Sequence, residues 1–352
     1  MRAAFQTFSD EVGPRAPLYR LLSRLLADED EVLSLMLAAP IQQRRPVLLL
    51  AAIHDLLLEH TDLPLAQWYP SIASDPRGDD PRAALIETIS VHRDRIEAIV
   101  SERHTQTNEV GRCAPLVIAL GSQLANVPIG LVDVGCSAGL NLHLDAYGYR
   151  FFNEEYSWAE VLSPQRALTL ECSLKGVPET PIKVPDIRSR VGVDAKPIDI
   201  TNPSAVRWLE ACVWPDQHDR LRRLRSAISI ARSAPIPIVA ADAVTGLEDA
   251  LESIPEDQHP VLVNSWVLAY LSAQQRIDYR SIVDRVGVSR DLTWIYLEAP
   301  ADCPELDGPR DPSVERLTAV MRIEWKNGQR RSQHIGTMHP HGYWLHLSRS
   351  QT

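Results

Sequence analysis

Leucines recur at Leu18, Leu21, Leu22, Leu25 and Leu26 within PLYRLLSRLLADEDEVLSLMLAA (17–39), with charged residues between them. That spacing lays one apolar stripe along a helix. A second apolar segment, PVLLLAAIHDLLLEH (46–60), is interrupted by His54 and Asp55. It is too short to cross a bilayer and predicts a buried helix. Four prolines between residues 64 and 83 predict a loop. Helical spacing returns in AALIETISVHRDRIEAIVSERH (83–104), and TQTNEVGRCAPLVIALGSQLA (105–125) opens on cap-forming residues before turning apolar.

From about residue 128 the pattern changes. Short β-branched runs appear: IGLVDVG (129–135), RALTLECSL (166–174), SRVGVDA (189–195), IPIVAAD (236–242), PVLVNSW (260–266) and LTWIYLE (292–298). The last three are apolar enough to predict buried central strands. NPSAVRWLEACVW, QHDRLRRLRSAISIAR, TGLEDALES and SAQQRIDYRSIVDRV between them read as helices, and Asn327-Gly328 between alternating runs predicts a hairpin. Strands alternating with helices predict an α/β fold with a parallel sheet and helices on both faces. The expected division is a helical region over 1–126 and an α/β domain over 127–352.

Composition narrows the function. The chain has 352 residues and a formal net charge of -10. Binding to nucleic acid needs a basic footprint, so nucleic acid is not the expected main partner, although a local basic patch is compatible with this charge; no membrane partner is expected either. Residues 1–20 carry Arg2, Asp10, Glu11, Arg15 and Arg20 and no apolar signal core. The five cysteines are scattered and form no CxxC pair, which speaks against a disulfide framework or a zinc site. The expected compartment is cytoplasmic, with no metal.

LVDVGCSAGLN (131–141) is the stretch that carries chemistry: an apolar strand with Asp133 near its end, then a turn of small residues. Glycine lets backbone approach a ligand closely, and in an open α/β sheet ligands sit beyond the carboxyl ends of the strands. No Gly-Lys-Ser/Thr follows, so the turn is not a P-loop, and Ser137 stands where a dinucleotide fingerprint has its second glycine. The plain alternative is a strand-to-helix turn without a ligand.

The motif resembles the first motif of class I S-adenosylmethionine (SAM)-dependent methyltransferases: a strand, an acid, then Gly-x-Gly-x-Gly. The resemblance implies a Rossmann-like sheet with a helical N-terminal region and a β insertion, and SAM as cofactor. It implies that Gly135, Ser137, Ala138 and Gly139 approach the methionine part, with Asp133 near its ammonium and Asn141 just after the loop. VGVDAKP resembles the second motif, which makes Asp194 the ribose acid. IVAADA offers Asp242, with Ala243 beside it, for the adenine. PVLVNSWVLAYL resembles the strand that leads to the acceptor. From Asp133 to Asp194 is 61 residues, far more than that family's usual spacing. An insertion over about 149–188 is therefore expected, and it offers a rival ribose acid, Glu171.

The chain as a whole resembles an uncharacterised bacterial family, domain of unknown function 2332. The resemblance rests on PLYRLLSRLLADEDEVL, LLLAAIHDLLL, TQTNEVGRC, GCSAGLNLHLDAYGYRF, GVDAKPIDITNPSAVRWLEACVWPDQHDRLRRLRSAI, VLAYL and HPHGYWL. It implies a methyltransferase-like fold and no substrate.

Asn264, Tyr270, Glu109 and His341 are the expected acceptor-side residues. Glu109 belongs to TQTNEVGR, where Thr107 or Asn108 can cap a helix with Glu109 in its first turn; Asn108 and Arg112 are further candidates there. His341 and His339 lie two apart in MHPHGYW. Cys136 has no histidine nearby in sequence and reads as a small spacer. The leading expectation is a SAM-dependent methyltransferase for a small-molecule acceptor. The rivals are a non-catalytic binding or regulatory protein on the same fold, and an enzyme of another class using a nucleotide-like ligand.

Overall fold

Strand β1 (Pro128–Val134) is buried at every position after Pro128, as a strand covered on both faces must be. The computed structural model describes residues 1–348 except 122, 123, 125, 154, 156 and 179. The other described strands are β2 (Gly148–Asn153), β3 (Trp158–Leu162), β4 (Thr169–Lys175), β5 (Asp186–Asp194), β6 (Ile238–Ala240), β7 (His259–Ser265), β8 (Leu292–Glu298), β9 (Thr318–Lys326), β10 (Gln329–Met338) and β11 (Trp344–Leu347). All eleven form one mixed sheet in the order β3-β2-β4-β11-β10-β9-β8-β7-β1-β5-β6.

The neighbours β6, β5, β1, β7 and β8 are all parallel. From β1 the chain builds outward through β5 to β6, then returns to the other side of β1 for β7 and β8. The winding therefore reverses between β1 and β7, where a crevice opens at the carboxyl ends. β9 is antiparallel to β8, and β10 to β9. The β9–β10 turn has Asn327 at φ 51° and Gly328 at φ 74°, the left-handed pair that an Asn-Gly hairpin requires.

The region expected as an insertion holds an antiparallel β2–β3 hairpin and β4. These strands do not extend the β5 side. They join the opposite end of the sheet, because β4 pairs in parallel with β11. A second correction concerns β6. It is three residues long and half-exposed, not a buried central strand, because it lies at the sheet edge.

The chain divides into two compact units. Residues 1–107 and 199–225 form one; 108–198 and 226–352 form the other. In the first, the helix Pro46–Glu59 is buried around most of its circumference. His54 and Asp55 interrupt its apolar run because each has a partner there. His54 Nδ1 lies 3.1 Å from Ala211 O and Nε2 lies 2.8 Å from Ser71 Oγ, while Asp55 Oδ1 accepts from Arg207 Nε at 3.1 Å. Burial lowers the His54 pKa to about 4, so it packs neutral. The stretch 83–104 is not one helix. Arg82–Val91 and Arg93–Glu102 meet at His92, whose φ of -107° and ψ of 24° are not helical. In the second unit, Val132, Val134, Leu262, Trp294 and Trp325 share one apolar core. Burying each such side chain contributes about 1.5–3 kcal/mol.

Candidate functional site

The turn after β1 is tied to β5. Gly135 N donates to Val193 O at 2.7 Å, and Ser137 N donates to Asp194 Oδ2 at 2.7 Å. Asp194 Oδ1 accepts from Lys196 N at 2.8 Å, and Ser137 O accepts from Ile198 N at 3.1 Å. Gly135, Ser137 and Gly139 all have left-handed φ, at 81°, 56° and 70°. A serine in that region is strained, and here the Asp194 carboxylate holds it. The two glycines have steric reasons of the protein's own. A Cβ on Gly135 would overlap Val267, and one on Gly139 would sit 3.0 Å from Ile238 Cδ1. Cys136 is buried against Gly192, and burial pushes its thiol up, which fits a spacer and not a nucleophile.

TQTNEVGR and MHPHGYW, far apart in sequence, meet beside this turn. A Cβ on Gly111 would overlap His341 O, and one on Gly342 would overlap Gly111 O, so the two backbones lie directly against each other. Arg112 fastens the junction. Its Nε donates to Pro340 O at 2.7 Å, and its Nη1 donates to Ser265 O at 3.1 Å and Ser265 Oγ at 2.9 Å, at the end of β7. Asn108 Oδ1 accepts from Leu140 N at 3.0 Å, which anchors the far side of the glycine turn. Glu109, not Thr107 or Asn108, is the cap: its Oε1 accepts from Gly111 N at 3.1 Å. Its Oε2 lies 3.7 Å from His341 Nδ1.

Two buried carboxyls feel the positive charge of Arg112. Burial pushes Asp133 up to about 7; the negative charge of Asp194 adds to the shift and Arg112 opposes it. Burial also raises Glu298 to about 7, against the amides of Leu268 and Val267 and the charge of Arg112. Glu298 Oε1 accepts from Val267 N at 2.7 Å and Leu268 N at 2.9 Å. Asp133 Oδ2, Glu298 Oε2, Ser137 Oγ and Trp266 Nε1 are buried and make no hydrogen bond within the protein. Native interiors rarely leave such atoms without a partner. Trp266 is also left-handed, at φ 59°. Glu298 and Trp266 were not among the expected site residues. Glu298 ends an apolar strand as Asp194 does, and that signal was present in LTWIYLE.

The other expected residues separate. Asn264 is fully buried, and its side chain is spent on the sheet. Its Nδ2 donates to Val134 O at 3.0 Å, and its Oδ1 accepts from Tyr279 OH at 3.1 Å and Trp294 Nε1 at 2.7 Å. It locks β7 to β1 and has no acceptor oxygen left for a substrate. Tyr270 is 71% exposed and does not join the cluster. Asn141 is buried, with Oδ1 accepting from Cys113 Sγ at 3.4 Å. Ala138 is buried in the turn. Asp242 is exposed and caps its own turn, accepting from Val244 N at 2.9 Å, with Ala243 half-buried beside it. Ala241 N donates to Asp194 O at 3.1 Å, so that turn starts next to the β5 acid. Glu171 lies on β4, with six strands between β4 and β5 in the sheet order, and pairs with Arg150 at 3.0 Å on an exposed face. It cannot share a ligand with Gly135.

Among the described residues, no group of three or more His, Cys, Asp or Glu is placed to hold a metal ion. No described helix is long and apolar enough to cross a membrane. No curated protein and no solved structure matches the chain. Over residues 2–346 it matches the family model described as an uncharacterized protein conserved in bacteria, DUF2332, and it belongs to that family.

Proposed function

We propose that the crevice at the ends of β1, β5 and β7 binds S-adenosylmethionine, and that the protein transfers its methyl group to a small-molecule acceptor. The observation that carries this is the hydrogen bond from Ser137 N to Asp194 Oδ2 at 2.7 Å. It joins an acid-and-glycine turn on β1 to a strand-end acid on β5, beside the β1–β7 gap where the winding reverses. The parallel order β6-β5-β1-β7-β8 supports a Rossmann-like reading of that part of the sheet.

The residues present fit the group. A carboxylate offers about four lone-pair sites. Two on Asp194 accept from Ser137 N and Lys196 N, which leaves room for the ribose hydroxyls. Ser137 Oγ and Asp133 Oδ2 supply unpaired polar atoms for the methionine part. The cofactor brings a methyl already activated on a sulfonium. The protein's task is alignment, which converts a bimolecular displacement into an oriented one. An acceptor that loses a proton can pass it to His341, which Glu109 Oε2 faces at 3.7 Å.

One observation favours a second reading, a binding or regulatory protein without turnover. Of four acceptor-side residues, Asn264 is consumed by the sheet and Tyr270 points to solvent. Calorimetry with SAM and its demethylated product tests both. Binding of neither removes the proposal. Binding of SAM with no methyl transfer to any acceptor in a metabolite panel selects the second reading.

A further inference from the structure

A cavity of about 570 Å³ lies in the second unit, away from the glycine turn, lined by Arg280, Glu305, Asp307, Arg310, Met321, Ser332 and His334 among others. Its floor is built by the β9–β10 pair, where Met321 faces His334 and Ile323 faces Ser332 in register. Ser332 and His334 are two apart on β10 and share a face. Its walls are Arg280 on the helix Ala273–Ser289 and the turn at 305–310.

The acids in the lining are already neutralised. The Glu305 carboxylate receives a fork from Arg276, with Oε1 3.1 Å from Nη2. Asp307 accepts from Arg330 and Ser332, and its Oδ1 lies 3.8 Å from Arg280 Nη1. Arg280 also faces Asp284 at 3.5 Å. Arg310 differs. Its Nη2 donates to Pro304 O at 2.9 Å and Leu306 O at 3.1 Å, and among the described residues no carboxylate pairs with it. Carbonyls orient a guanidinium but do not cancel its charge. The lining holds two arginines and two acids; since Arg276 and Arg330 from outside it pair with those acids, Arg310 is left as a lining cation with no carboxylate among the described residues. His334 adds a donor. Its Nδ1 lies 3.0 Å from Ser348 Oγ, while its Nε2 is buried and makes no hydrogen bond. In the tautomer protonated at Nε2, with Ser348 donating to Nδ1, that nitrogen offers its hydrogen to an acceptor oxygen.

We infer that this cavity is a binding site for an oxyanion-bearing small molecule, whose phosphate or carboxylate oxygens take the free edge of Arg310 and the Nε2–H of His334. The planar fork of arginine suits both groups. The volume exceeds a lone ion and falls within the usual range for small-molecule sites. This site is independent of the SAM proposal.

The test is titration of the full chain with inorganic phosphate and, separately, succinate, at constant ionic strength set by chloride. Saturable binding of at least one is expected. Arg310→Gln should weaken it tenfold or more without shifting the thermal midpoint. Ser332→Trp, at an exposed floor position, should fill the cavity and abolish binding while leaving Arg310 in place. Response to phosphate alone assigns a phosphorylated ligand, and response to succinate alone assigns a carboxylate. Absence of saturable binding by either probe overturns the inference. Binding that survives both substitutions also overturns it, since the probe would then be an adventitious ion only.

Discussion

Asp133→Asn should stabilise the protein more at pH 8 than at pH 5. Asp133 rises from 3.8 to about 7 on folding, chiefly by burial. The folded state therefore holds its proton more tightly than the unfolded state. As pH rises from about 4 to about 7, the unfolded chain releases the proton first, and folding stability falls. A shift of about three units corresponds to about 4 kcal/mol once both states are ionised. At pH 5 only about 1.5 kcal/mol of that cost is present, and at pH 8 nearly all of it. The asparagine amide keeps the shape and cannot ionise. The stability difference between variant and parent should grow by about 3 kcal/mol between the two pH values, measured by urea denaturation at each. The parent's own profile is not a clean readout. His54, lowered to about 4, contributes stability that rises with pH over about 4–6.5, the opposite sign. The difference between the two proteins cancels that contribution. A difference that stays constant within about 0.5 kcal/mol, well inside the shift expected from linkage, would show that Asp133 ionises normally in the folded state, and the account of a desolvated carboxyl would be wrong.

Arg112→Met removes the hydrogen bonds to Pro340 and Ser265 and the positive charge felt by Asp133 and Glu298; a loss of about 3–5 kcal/mol is expected by denaturation, because the buried carboxyls lose that charge. Arg112→Lys should recover part of it. Asn264→Ala leaves the Tyr279 hydroxyl, the Trp294 indole and the Val134 carbonyl unpaired and should cost about 3 kcal/mol or more by the same assay; unchanged stability would mean that the amide is not the link between β7 and β1. Asp194→Ala should weaken SAM binding at least about tenfold, the loss of a charge-assisted pair, whereas Glu171→Ala on the far side of the sheet should change it by less than about threefold; calorimetric titration of both variants decides, and the reverse ranking would refute the assignment of the β5 acid.

The helical N-terminal stretch, the buried central strands β7 and β8, the Asn-Gly hairpin and the acid-and-glycine turn were all legible in the chain. Each is a local property: apolar spacing, β-branched runs and residues that tolerate left-handed φ act within a few positions of each other. The turn at Gly135 and the acid at Asp194 were legible for the same reason, since both lie where an apolar run stops. The break at His92 was not, because the helical spacing continues across it.

Which strand lies beside which is a different matter, because pairing joins residues that the sequence keeps far apart. Only the tertiary structure decided that β4 pairs with β11, which removes Glu171 from the candidate ligand site. It alone set TQTNEVGR against MHPHGYW and drew Glu298 to the amides of Val267 and Leu268. It also turned Asn264 from an expected acceptor-side residue into a tie inside the sheet. The amino-acid order determines where strands begin, end and carry an acid; the crossovers between them determine which of those acids share one crevice.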